Sequence, residues 1–277
     1  MSLLIEKHRN LAPAVKPLTR TVLLATVRAA LEPLPFVHCL WEGGSTSFGR
    51  NDTWSDVDLQ CEVDDDRIAA TFEAVEAALA PVAETALCFK VPEPAWHGHS
   101  QRFYRFTNAE PWLLLDFCVI KRTAAYKFNE PAIHGKAGVL FDRSGLFGLN
   151  VVRTNRDAFE ARLRTRIESL RARFAMFQVL VEKETWRGNP IDALNFYQGL
   201  TLAPLVELLR IRHDPLRHNW GNRYLHRILP PAEAKRLQSL MYVGTPKQIP
   251  AKRTAAAAWF EELAAELAGR PRLIPPA

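Results

Sequence analysis

Three aspartates pose a chemical question. Asp56 and Asp58 stand one residue apart in NDTWSDVDLQ, just before an apolar run, and Asp116 is the lone acid of WLLLDFCVI. On a strand, residues i and i+2 share a face. An extended segment at 56–58 would therefore set two like charges side by side, with no cation adjacent in sequence. That costs energy unless an arginine, a proton or a metal ion is supplied. Asp116 raises the same problem, because a buried, unpaired carboxylate is expensive. It should lie at the exposed end of its strand or bind a charge. Two carboxylates on one strand and a third on a neighbour suit a divalent metal. Mg²⁺ takes oxygen ligands in octahedral geometry, usually a few carboxylates with phosphate oxygens and water. Two such ions roughly 3.5–4 Å apart can clamp the attacking and leaving oxygens of a phosphoryl transfer.

Gly43, Gly44 and Ser45 precede this pair and can serve the other end of the same reaction. Glycines let the backbone approach a ligand closely, and successive N–H groups in such a turn can form an anion-binding nest. Ser45 adds a hydroxyl donor, and Arg50 can neutralise a developing pyrophosphate.

The elements that must position these groups follow from periodicity. Residues 18–32 have helical spacing, PFVHCLWEGGS reads as a buried strand with its exit turn, and DVDLQCEV alternates as a strand. RIAATFEAVEAALA is an amphipathic helix, and Asp64, Asp65 and Asp66 before it place acid where a helix N-terminus favours it, a structural role. Strands are expected at 83–91, 102–107, 111–120 and 137–141. The chain is then arginine-rich and helical from about Thr154 to Leu180. Further helices are expected at PIDALNFYQGLTLAPLVELLRIR, PPAEAKRLQSLM and TAAAAWFEELAAELAG. Strands first and helices later imply an α+β chain in two parts, 1–150 and 151–277.

GGS, ten further residues, DVDL and a later apolar–Asp–apolar strand together resemble the nucleotidyltransferase superfamily of DNA polymerase beta type. The motif covers about residues 36–120. In length and in its helical second half, the chain resembles the members that modify antibiotics. The resemblance implies a mixed sheet with flanking helices, followed by a helical domain that faces the active site. It implies that Asp56 and Asp58 bind metal, and that Gly44 and Ser45 approach nucleotide phosphate. Asp116 would be either a metal ligand or the base that activates an acceptor hydroxyl. Mg²⁺ would be the cofactor, with Mn²⁺ as an alternative, and an NTP the donor. In the helical part, Lys183 or Arg187 would hold triphosphate and Glu182 or Glu184 the acceptor. The plain alternative is a solvated helix end at Gly188–Asn189–Pro190, with Asp192 beside it.

Other features are less specific. His97 and His99 could open a zinc site on a strand, but no further ligand pair stands at zinc spacing and loop histidines explain them better. Arg217, Trp220, Arg223 and Tyr224 can stack on a base, or simply pack a helical corner. The four cysteines have no CxxC spacing and read as buried free thiols of a reducing cytosol. No apolar run nears the ~20 residues of a membrane helix, and no charged n-region precedes an apolar h-region. A cytoplasmic protein without membrane association is expected.

Net charge is +6. Residues 1–150 hold 15 Lys+Arg and 18 Asp+Glu, whereas 151–277 hold 21 and 12, so the surplus lies in the second part. That suits an anionic ligand. The leading expectation is transfer of a nucleoside monophosphate, AMP first, from an NTP to a hydroxyl on a small molecule, with release of pyrophosphate. The alternatives are the same chemistry on RNA or a protein side chain, and a non-catalytic module that binds nucleic acid or protein. The intact Ser45, Asp56, Asp58 and Asp116 argue against the last.

Overall fold

The computed structural model describes residues 16–275. The chain divides into two units, Met1–Arg153 and Thr154–Ala277. The first contains α1 (Arg20–Leu31), β1 (Val37–Glu42), β2 (Val57–Val63), α2 (Ile68–Leu79), β3 (Thr85–Lys90), β4 (Ser100–Phe106), β5 (Leu114–Lys121), the short α3 (Pro131–His134) and β6 (Gly138–Asp142). Its six strands form one mixed sheet in the order β3-β4-β5-β2-β1-β6. Only β2 and β5 run parallel; the other neighbours are antiparallel.

Alternation along the two central strands decides what each face carries. Val57, Leu59, Cys61 and Val63 of β2, with Leu115, Phe117 and Val119 of β5, pack in one cluster with Leu23, Val27 and Leu31 of α1 and Phe72, Val75 and Leu79 of α2. The intervening residues therefore point to the opposite face, where Cys39, Trp41, Cys118, Ile120 and Leu146 make a smaller cluster. Asp58 and Asp116 belong to that second face. A register slip of one residue would drive both carboxylates into the main core, so the pattern that builds the core also fixes the site.

Thr19 caps α1 by accepting from the Val22 amide at 3.3 Å. The acidic run before α2 works differently from the dipole role expected of it. None of Asp64–Asp66 lies in the first turn of α2. Asp64 bonds His38 Nε2 at 2.7 Å, and Asp65 accepts from the Thr123 amide and hydroxyl. The role is structural, but it is a tertiary tie to β1 and to the segment after β5. All four cysteines are free; Cys39, Cys61 and Cys118 are buried, and Cys88 on β3 is only half-buried.

The second unit is helical: α4 (Arg156–Arg187), α5 (Pro190–Phe196), α6 (Ala203–His213), α7 (Leu225–Ile228), α8 (Pro231–Met241) and α9 (Ile249–Gly269). Leu163, Ile167, Leu170 and Phe174 form the buried stripe of α4, and Phe174 stacks on Phe260 of α9 with ring centres 3.8 Å apart. Helix α4 runs seven residues past Leu180 and stops at Gly188, whose left-handed φ of 74° lets its N–H reach back to Glu184 and Thr185. The single helix expected over 190–212 is interrupted by a π-turn at Tyr197–Leu202. Gln178 of α4 donates to the Leu200 carbonyl at 2.8 Å and accepts from the Thr201 hydroxyl at 2.8 Å. These bonds occupy polar groups that the wider turn leaves exposed to a neighbouring helix. Among the described residues, no helix is long and apolar enough to cross a membrane.

Candidate active site

Pairing of β2 with β5 sets Asp58 directly opposite Asp116. Both are half-buried, whereas Asp56 is exposed and lies one residue before β2. The expectation that 56 and 58 share a strand is corrected to that extent: the pair that faces across the sheet is Asp58 and Asp116.

Gly44 explains how the Asp58 carboxylate fits. A Cβ placed on Gly44 would lie 1.7 Å from Asp58 Oδ2, and the residue has φ +52°. The missing side chain is the space that the carboxylate occupies. A Cβ on Gly43 would meet the Gln60 amide at 2.7 Å, and the Gly43 N–H donates to the Asp58 carbonyl at 2.9 Å. The glycine turn is thus clamped to β2. Ser45 begins a 3-10 turn over Thr46–Phe48, and its hydroxyl makes no capping bond. Arg50, on the far side of that turn, sits over the Phe48 ring at 5.1 Å.

The cation that sequence reading could not find is Arg20. Its guanidinium donates to the Asp56 carbonyl at 2.5 Å and to Thr46 Oγ1 at 3.0 Å, and it pairs with Glu42. Burial lowers its pKa, while the charges of Asp58 and Asp56 push the other way. Glu42, at the end of β1, is 7% exposed. Arg20 opens a helix that otherwise reads as core, and no local spacing links it to residues 42–58. Asp116 has a neighbour that was also missed: Gln101 Nε2 donates to Asp116 Oδ1 at 2.5 Å.

Beside Asp56 lies a cavity of about 970 Å³ lined by Leu18, Arg20, Asp52, Ser55, Asn108 and Trp112. Trp54, 63% exposed, lies against Trp112 with ring centres 4.4 Å apart and the rings tilted by 47°. His97 and His99 occupy the loop before β4 rather than a strand.

Lys183 and Arg187 lie at the end of α4 in the second unit. Lys183 is exposed, and Arg187 bonds Glu184 at 2.5 Å, itself held by Asn189 at 2.7 Å. Glu182 pairs with Arg253. Arg210 is fully buried and donates to the carbonyls of Arg217, Gly221 and Arg223. It fastens the loop that presents Arg217 and Arg223 against Trp220.

Among the described residues, no group of three or more His, Cys, Asp or Glu side chains is gathered as a metal site. What is present is the facing pair Asp58 and Asp116, with Asp56 exposed one residue before β2.

No family model matches the chain, and no curated protein matches it in sequence. Two solved structures align over most of its length. An aminoglycoside 6-adenyltransferase from Bacillus subtilis is 12% identical, with 88% of each chain covered and a TM-score of 0.36. A spectinomycin adenyltransferase, AAD(9), from Enterococcus faecialis, solved with ATP and spectinomycin, is 10% identical; the alignment covers 90% of this chain and 100% of that one, with a TM-score of 0.35.

Proposed function

We propose that the protein is a Mg²⁺-dependent nucleotidyltransferase that moves a nucleoside monophosphate from an NTP to an acceptor hydroxyl and releases pyrophosphate. The observation that carries this reading is the facing pair Asp58 and Asp116, with Gly44 shaped around the Asp58 carboxylate. Mg²⁺ is usually held by one or two carboxylates together with substrate phosphates, not by an all-protein cage. Two facing carboxylates and an exposed Asp56 fit an ion that arrives with its triphosphate; Asp58 and Asp56 would hold it, with Asp116 beside them. When bound, Mg²⁺ supplies charge neutralisation at the phosphate oxygens.

The chain's own residues do the rest. The Ser45 hydroxyl and the glycine turn contact phosphate, and Arg50 offsets charge on the departing pyrophosphate. Arg20 holds the Asp56 backbone and the Thr46 side chain, and so fixes the turn against the start of β2. Asp116 takes the acceptor proton as the hydroxyl oxygen attacks the α-phosphorus and the bond to pyrophosphate breaks. The cavity beside Asp56, with Trp112 in its wall, accommodates a ring of the acceptor or of the base.

A small-molecule acceptor is favoured over RNA. Several of the second unit's arginines are committed to internal ion pairs: Arg164 with Glu160, Arg166 with Glu207, Arg212 with Glu233 and Arg253 with Glu182. Incubation with each α-labelled NTP, Mg²⁺ and a panel of hydroxylated small molecules, single-stranded RNA and protein tests the reading. Label transfer with equimolar pyrophosphate is expected for a small hydroxylated compound, with ATP the first donor to try. Transfer to RNA alone would replace the acceptor class, and no transfer with any acceptor would leave only a binding role.

A further inference from the structure

A hydrogen-bonded chain leads away from Asp116. Gln101 of β4 is paired with Cys118, so it is diagonal to Asp116 on the same face. Its Nε2 donates to Asp116 Oδ1 at 2.5 Å. Its Oε1 is 3.1 Å from His97 Nε2, and His97 Nδ1 is 3.2 Å from the His99 amide nitrogen. Direction is fixed from both ends. An ionised carboxylate only accepts, so the Gln101 amide nitrogen must face Asp116 and its oxygen must face His97. His97 must then donate from Nε2 and accept, at Nδ1, the proton of the His99 amide. The flipped glutamine would set its oxygen against the carboxylate, and the other histidine tautomer would set N–H against N–H.

The chain ends in a well-anchored segment. The His99 ring is 5% exposed and lies among His97, Tyr126 and Phe128, with ring centres 5.3, 6.4 and 5.2 Å away. The carboxylate torsion of an aspartate is a broad, two-fold rotor, so a strand alone does not orient it. A charge-assisted bond from a residue that is itself held from behind does.

We propose that Gln101 is a positioning residue for the transfer reaction, and that His97, held by the His99 backbone, locks Gln101 in the orientation that aims the Asp116 carboxylate. This rests on the reading of Asp116 as part of the transfer centre. It makes the His97–His99 segment, which has no contact with nucleotide or acceptor in the proposed reaction, a determinant of turnover.

The test compares Gln101→Met, which loses both bonds, with Gln101→Glu, which keeps the acceptor for His97 and loses the donor to Asp116. The expected result is a fall in kcat of about ten- to a hundred-fold for both, with the KM for NTP within two-fold of wild type and the melting temperature nearly unchanged. A merely structural role would lower the folded fraction and leave no such split. If Gln101→Met does not fold, Gln101→Glu, which keeps the shape of the side chain, decides the matter.

NMR of the ¹⁵N-labelled full chain supplies a readout without substrate. The Gln101 side-chain amide should be shifted and slow to exchange, and should become solvent-like in Asp116→Ala; the His97 proton should be found at Nε2, toward Gln101. A freely exchanging Gln101 amide, or a wild-type kcat in Gln101→Glu while Asp116→Asn is inactive, overturns the inference alone. Wild-type turnover by Asp116→Asn overturns the transfer reading and the inference with it.

Discussion

Gly44 is constrained twice, by a left-handed φ and by the carboxylate that fills its side-chain space. Gly44→Ala should cost ~1–2 kcal/mol in backbone strain and also displace Asp58, so nucleotide binding should fall further than stability; calorimetry and thermal melting read the two separately. Arg20 carries a different kind of prediction. Removing it leaves Glu42 as a buried carboxylate without its pair, a situation that costs about 3–5 kcal/mol. Arg20→Met should therefore lower the denaturation midpoint strongly, and adding Glu42→Gln should recover much of the loss. A midpoint unchanged by Arg20→Met would show that the pair does not stabilise the fold. These two residues also mark how far sequence reading reached. Asp58 and Asp116 stand out because their charge clashes with the apolar runs around them, and Gly44, Ser45 and Asp56 because they complete a spaced motif. Arg20 and Gln101 do neither. Arg20 meets Glu42, Thr46 and Asp56 only through the tertiary fold, and Gln101 meets Asp116, 15 residues away, only through strand register.

The elements were legible where periodicity is strong. The alternation in β2 and the lone acid of β5 predict strands and facing residues, because the pleat leaves no other placement for a mostly apolar run. The acid cluster before α2 was less legible: a dipole argument and a tertiary tie demand the same residue types, and only the fold puts Thr123 beside Asp65. The π-turn at Tyr197–Leu202 has no local signature, since the polar groups it frees are met by Gln178 on another helix. The loop before β4 gives a pH prediction. Burial, and then the neighbouring His97, lower the His99 pKa from 6.5 to about 4. Below pH ~6.5 the unfolded chain takes up a proton at His99 that the folded chain refuses until about pH 4. Stability should therefore drop over that window, by on the order of 1–3 kcal/mol, and His99→Phe should flatten the drop in urea titrations run from pH 7 to 4. An equally steep loss in His99→Phe would assign it to other groups.

Across the whole molecule, the first unit carries the sheet and the candidate site, and the second is helical around its own core. A change from strand-rich to helix-rich sequence is a coarse signal that survives errors at single elements. The nature of the acceptor is not encoded that way, because a cavity lined by polar residues and Trp112 suits many ring compounds. The proposed activity therefore stands or falls on the donor side. Asp56 and Asp58 should hold an NTP only through Mg²⁺, since two carboxylates repel a bare triphosphate. The most direct test is calorimetry of ATP binding to the full chain with and without Mg²⁺, in wild type and in Asp58→Asn. Binding by the wild type should require Mg²⁺ and be lost in Asp58→Asn; binding that is unchanged by chelating the metal, or by the substitution, would contradict the proposed activity.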